Sequence, residues 1–132
     1  MARVVLVGSD GALLEGLAQM LAAAGHRPNV TTSAAAHETL RANPPLVLLA
    51  ERRLGGELSH SPLSPGGALL LFRTADDEDT TALPAAAQRA ALADLTLPLE
   101  RHRLLALVAY VEERAETTGR TRIQTPPAHT AL

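Results

Sequence analysis

Pro45-Leu46-Val47-Leu48-Leu49-Ala50-Glu51-Arg52-Arg53-Leu54-Gly55-Gly56 is an unbroken apolar run that ends on one carboxylate and a pair of glycines. A short continuous apolar run bounded by turn residues reads as a strand buried on both faces, which is the habit of a parallel sheet. Glu51 then sits where such a strand leaves the sheet.

Other segments extend the pattern in both directions. Val4-Val5-Leu6-Val7 reads as a first strand. Leu13, Leu14, Leu17, Met20, Leu21 and Ala24 recur at three- and four-residue spacing, with Ser9 or Asp10 as N-cap and Gly25 as C-cap, which predicts the first helix. His26 to Thr32 reads as a weaker strand, placed at a sheet edge by Pro28. Ser33 to Ala42 reads as an alanine-rich helix closed by Asn43-Pro44-Pro45. Leu46 to Ala50, Ala68 to Phe72 and Leu95 to Leu97 supply strands three, four and five, and Glu100 to Arg114 a final helix with Leu104, Leu107, Val108 and Val111 on one stripe. Ala85, Ala86, Ala87, Ala90 and Ala91 give the fourth helix, started by Pro84, a small smooth face.

Alternating strands and helices predict an α/β domain of the flavodoxin-like, three-layer kind, with a five-stranded parallel sheet in the order 2-1-3-4-5. The third helix is the exception. Glu57-Leu58-Ser59-His60-Ser61-Pro62-Leu63-Ser64-Pro65-Gly66-Gly67 holds two prolines and paired glycines, so a loop or single turn is predicted in its place, leaving one side of the central strands less covered. Residues 1–115 form the domain in this reading. Residues 116–132 lack periodicity and read as a flexible tail with no second domain after it.

The chain has 132 residues, 46% of them apolar, which suits one compact core. The absence of cysteine excludes disulfides and thiolate chemistry and agrees with a cytoplasmic location. Val4 to Val7 is one strand long and runs into Gly8-Ser9-Asp10, so it reads as neither signal peptide nor membrane span. A net charge of -2, scattered arginines, one Phe, one Tyr and no Trp argue against a direct nucleic-acid binder. Gly8-Ser9-Asp10-Gly11 lacks the spacing of a dinucleotide loop. The five histidines show no metal-pair spacing, and Asp76-Asp77-Glu78-Asp79 reads as a solvated loop favouring the start of the fourth helix.

Several of these segments, in this order, resemble the motifs of response-regulator receiver domains. The strand ending at Glu51 resembles the acceptor strand, whose last residue in the family is a phosphorylated aspartate. Arg3-Val4-Val5-Leu6-Val7-Gly8-Ser9-Asp10 resembles the family's opening, Phe72-Arg73-Thr74-Ala75 the end of its fourth strand, and Leu95-Thr96-Leu97-Pro98-Leu99 its Leu-x-Lys-Pro-Phe stretch, where the proline follows a cis bond. The resemblance implies a signalling domain, and it also implies losses. The two acidic residues that hold magnesium in the family fall on Gly8 and Ser9, and the lysine falls on Leu97. Phosphoryl transfer between anions needs that positive charge.

The expectation is therefore a degenerate receiver that is not an enzyme and carries no metal or cofactor. It acts through a protein partner or homodimer on the fourth helix, fifth strand and fifth helix, without nucleic acid or membrane. Glu51 is the substituted acceptor position, and Ser9, Asp10, Thr74, Leu97 and Pro98 are remnants of the switch site. Asp10 is read as an N-cap or a rescued metal ligand, and Thr74 as a phosphoryl contact or an ordinary strand-end residue. Glu51 stays open among an imitation of phosphoaspartate, a surviving acceptor, and an exposed acid neutralised by Arg52, Arg53 or Arg73. A phosphorylatable regulator of a two-component phosphorelay and a small-ligand sensor are the alternatives.

Overall fold

The computed structural model describes residues 2–74 and 84–130, with residues 118–130 described by backbone alone. In chain order the elements are β1 (Arg3–Val7), α1 (Gly11–Ala23), β2 (Arg27–Thr31), α2 (Ser33–Ala42), β3 (Val47–Glu51), a 3-10 turn (Arg52–Leu54), α3 (Gly55–Leu58), β4 (Ala68–Thr74), α4 (Ala85–Ala90), β5 (Ala91–Leu97) and α5 (Arg101–Thr130). The five strands form one parallel sheet in the order β2-β1-β3-β4-β5. This is the flavodoxin-like order that the strand–helix alternation predicts.

Each central strand is apolar except at its ends because its two faces enter different cores. Val4, Leu6, Val47, Leu49, Leu70 and Phe72 pack with Leu14, Leu17 and Leu21 of α1 and Leu104, Val108 and Val111 of α5. The alternate residues Val5, Val7, Leu48, Ala50, Leu69 and Leu71 pack with Ala36 and Leu40 of α2 and with Leu54 and Leu58. The two-residue repeat of a strand thus divides a single hydrophobic run between both layers.

The segment after β3 corrects one expectation. The third helix is indeed cut to a single turn, yet the sheet beneath is not left less covered. Leu54 and Leu58 are buried, Leu63 packs beside them, and Leu69 and Leu71 are sealed from water. The loop is tied down by its own polar groups. Ser64 N–H donates to Pro45 O (2.8 Å), Ser64 Oγ donates to Pro44 O (2.8 Å), and Arg114 donates to Gly66 O (3.2 Å). Three leucines therefore do the covering that a full helix would do, with far less regular backbone.

Two other boundaries differ from the sequence reading. Ala91 belongs to β5 and not to the fourth helix, so α4 is only six residues long and β5 starts four residues before Leu95. Ladder pairing with β4 from Leu69 to Thr74 overrides the helix propensity of the alanines, since propensity is a weak prior against tertiary hydrogen bonding. The last helix runs to Thr130 where the sequence predicts an end near Arg114; Ala115, Glu116 and Thr117 hold no helix breaker, and nothing in the sequence explains its course past Gly119, Pro126 and Pro127. The acidic run Asp76–Asp79 lies outside the described residues.

Candidate functional site

The sheet order reverses between β1 and β3, and ligand crevices of open α/β sheets lie at the carboxyl ends of strands beside such a reversal. Val7 pairs with Ala50 and Glu51 with Phe72, so the chain leaves β1, β3 and β4 at nearly one level. Gly8, Ser9 and Asp10 follow β1, Glu51 closes β3, and Arg73 and Thr74 close β4. A cavity of about 330 Å³ there is lined by Ser9, Asp10, Glu51, Arg53, Phe72, Arg73 and Thr74.

Glu51 is the centre of this cluster. Its Oε1 accepts hydrogen bonds from the Ser9 N–H and from Ser9 Oγ (2.9 Å), and its Oε2 accepts from Arg53 Nε. The side chain is 16% exposed, which corrects the reading of Glu51 as an exposed strand-end acid. Of the three arginines considered for neutralising it, Arg53 does so. Arg52 turns away to pair with Asp94 of β5 (3.2 Å), and no bond joins Arg73 to Glu51. Burial alone would raise the Glu51 pKa. The Arg53 hydrogen bond, the two Ser9 hydrogen bonds and the Arg53 charge outweigh it and hold the carboxyl below its ordinary range.

Gly8 makes this arrangement possible. A Cβ on residue 8 would stand 2.7 Å from Glu51 Oε1, 3.1 Å from its Cγ and 3.2 Å from its Cδ. The longer acid of β3 thus fills the space that a side chain at position 8 would need.

Asp10 is committed locally. Its Oδ1 accepts from the Leu13 N–H (3.1 Å) and caps α1, satisfying one of the orphan donors at the helix start. These residues do not fit a magnesium ion. Gly8 offers no side chain, Asp10 caps a helix, both Glu51 oxygens are engaged, and a guanidinium already supplies the positive charge beside the carboxylate.

The remaining remnant positions divide. Ser9, Asp10, Glu51 and Thr74 come together around the cavity, and Leu97 and Pro98 do not. Leu97 is fully buried in the core with Leu95 and Leu104, where an apolar side chain belongs. The Leu97–Pro98 peptide is cis, as the resemblance implies, and Pro98 lines a separate groove with Leu13, Leu17 and Met20. Beyond Pro98, Glu100 accepts from the Thr96 N–H (2.7 Å) and from Arg103 (3.1 Å), and these bonds, the Thr96 one foremost, lower its pKa. The sequence reading names Phe72 and Gly8 only as motif positions. Phe72 forms a buried apolar part of the cavity wall, and Gly8 is the clearance that Glu51 requires. The signal available for Gly8 was the pairing of a missing side chain after β1 with a lengthened one after β3.

No family model and no curated protein sequence matches the chain. Solved structures do match. NtrX from Brucella abortus is 16% identical with a TM-score of 0.69, over 92% of this chain and 28% of that one. A response regulator described as putative from Chloroflexus aurantiacus is 20% identical with a TM-score of 0.67, over 86% and 98%. The beryllofluoride-activated receiver-domain dimer of NtrC4 is 18% identical with a TM-score of 0.65, over 84% and 96%. The chain spans a little over a quarter of NtrX and nearly all of the other two. Sheet order and these likenesses together show that the chain has the fold of response-regulator receiver domains.

Proposed function

We propose that this chain is a degenerate receiver, a signalling domain that works through protein contacts and does not run an aspartate phosphorylation cycle. The observation that carries this reading is the Glu51 carboxylate, which fills the side-chain space of residue 8 and has both oxygens engaged by Ser9 and Arg53. A phosphoryl acceptor needs an unengaged oxygen and a cation to offset the incoming charge. Glu51 has its cation built in. The chain is not an enzyme in this reading, needs no cofactor and acts in the cytoplasm, and no helix among the described residues is long and apolar enough to cross a membrane.

The Arg53 ion pair also weighs against Glu51 as an imitation of phosphoaspartate. A phosphoryl group acts by its excess negative charge, and this carboxylate is compensated within two residues of its own position. The contact surface is assigned to α4, β5 and α5. Leu92 of β5 and Tyr110 of α5 are exposed there, with Tyr110 52% accessible beneath the Arg114 guanidinium. The surface suits a second copy or a protein partner.

Incubation with acetyl phosphate and magnesium, followed by intact mass under denaturing conditions, tests the reading. No covalent gain is expected. A stable gain at Glu51 favours the alternative, a phosphorylatable regulator in a two-component phosphorelay, and overturns ours.

A further inference from the structure

We propose that His26 is a proton-operated switch, which ties the turn between α1 and β2 to the start of β1 when neutral and to Glu112 of α5 when protonated. The device sits at the amino ends of the strands, the opposite end of the sheet from Glu51, and does not depend on the reading of that site.

Local structure sets the ring in place. α1 closes with Gly25 at φ +92° and with the His26 N–H donating to Leu21 O (3.0 Å), a glycine-based helix stop that turns the chain back toward the sheet. The His26 side chain is 8% exposed, and its Nδ1 accepts a hydrogen bond from the Ala2 N–H (3.1 Å). A ring nitrogen that accepts a hydrogen bond holds no proton, so this contact requires the neutral imidazole with its proton on Nε2. The same Nδ1 lies 3.9 Å from Glu112 Oε2. One atom therefore faces a donor on β1 and an acceptor on α5, and its protonation state selects between them.

A proton taken from solvent onto Nδ1 turns the acceptor into a donor. The Ala2 N–H then meets another N–H and its bond is lost, while a side-chain shift of about 1 Å brings the new cation into a charge-assisted bond with the carboxylate. A carboxylate accepts several hydrogen bonds, so Glu112 can take this one alongside its other contacts. Among the described residues, Glu112 is the charged group that α5 brings to the ring, with Glu116 one helical turn beyond. β1 gives Ala2, Val4 and Leu6 to this layer and so turns Arg3 to the other, Arg27 is in register with Arg3, and α1 ends in Leu21 to Gly25 without a titratable residue. The Arg27 N–H donates to Ala2 O (2.8 Å) without help from the ring, so β1 keeps its place in the sheet and only the tether moves.

NMR of the full chain from about pH 8 to about pH 5, the range in which histidine changes charge, tests the switch. The Ala2 and Glu112 amide signals are expected to move together, with the midpoint of the His26 ring signals. His26→Gln is expected to abolish that shared step while His37, His60 and His102 titrate as before. Glu112→Gln is expected to keep the step at Ala2 and to move its midpoint down by about half a pH unit or more, as for loss of a neighbouring carboxylate. An Ala2 signal that stays still while the His26 ring titrates overturns the proposal, and so does a midpoint that Glu112→Gln leaves in place.

Discussion

The carboxylate of Glu51 stands where the side chain of residue 8 would stand, with Oε1 only 2.7 Å from the Cβ that Gly8 lacks. The two positions are one steric unit. A side chain at position 8 requires Glu51 to swing out and give up its bonds to Ser9 and Arg53.

Gly8→Ala is accordingly expected to destabilise the fold by about 1–2 kcal/mol, the scale of losing charged hydrogen bonds and crowding a packed site. In a Glu51→Ala background the same change is expected to cost much less. Urea denaturation of the two single variants and the double variant measures the coupling, and additivity within about 0.5 kcal/mol would sink the idea that the residues share one space.

Glu51→Gln tests the ion pair through pH. The folded carboxyl has a lowered pKa, so its contribution is fully present above the ordinary value of 4.5 and is lost as pH falls through the folded value below that. At neutral pH the variant is expected to be less stable than the parent by roughly 1 kcal/mol, and the gap is expected to close as the solution is acidified below the ordinary carboxylate value. Thermal melts across that window decide the matter, and a gap that is constant with pH contradicts it.

The loop standing in for a longer third helix depends on Gly66. Its φ is +82°, and a Cβ there would lie 3.0 Å from both Cα and Cβ of Ala115. Gly66→Ala is expected to cost about 1–3 kcal/mol, from the left-handed backbone and the crowding against α5 together. Ala115→Gly is expected to recover only part of the loss, because the backbone strain remains. Chemical denaturation of the three variants reads both terms.

Residues 116–132 are proposed to lie outside the folding unit. Val111 is the last core residue of α5 among those whose side chains are described, and it precedes them. A chain ending at Thr117 is expected to match the full chain in stability within about 0.5 kcal/mol, as surface changes usually do. A clearly lower denaturation midpoint for the shortened chain would move the domain boundary outward.

Much of the fold was legible because it follows from repeat lengths. Val47 to Ala50 could only be a strand covered on both faces, and the three- and four-residue spacing from Leu13 to Ala24 could only present one apolar stripe. The covering of the sheet after β3 was not legible, since Leu54, Leu58 and Leu63 show no common period and reach their core through a turn. Nor was the start of β5, where five alanines between Ala85 and Ala91 favour helix locally and a ladder with β4 prevails.

At the site, the sequence alone determined the substitutions: an acid longer by one methylene after β3, no carboxylates at positions 8 and 9, and leucine at position 97. It also offered Ser9 or Asp10 as the cap of the first helix, since capping needs only a side chain three residues before an N–H, and the structure gives the cap to Asp10. The tertiary structure decided which arginine neutralises Glu51, that Leu97 points into the core, and that Glu51 occupies the space vacated at Gly8. The physical reason is range. Caps, turns and periodic stripes are settled by residues a few positions apart, whereas the contacts of Glu51 with Gly8 and Ser9 join strand ends brought together only by the order in which the strands pair, and Arg52 is drawn from Glu51 to the distant Asp94 of β5.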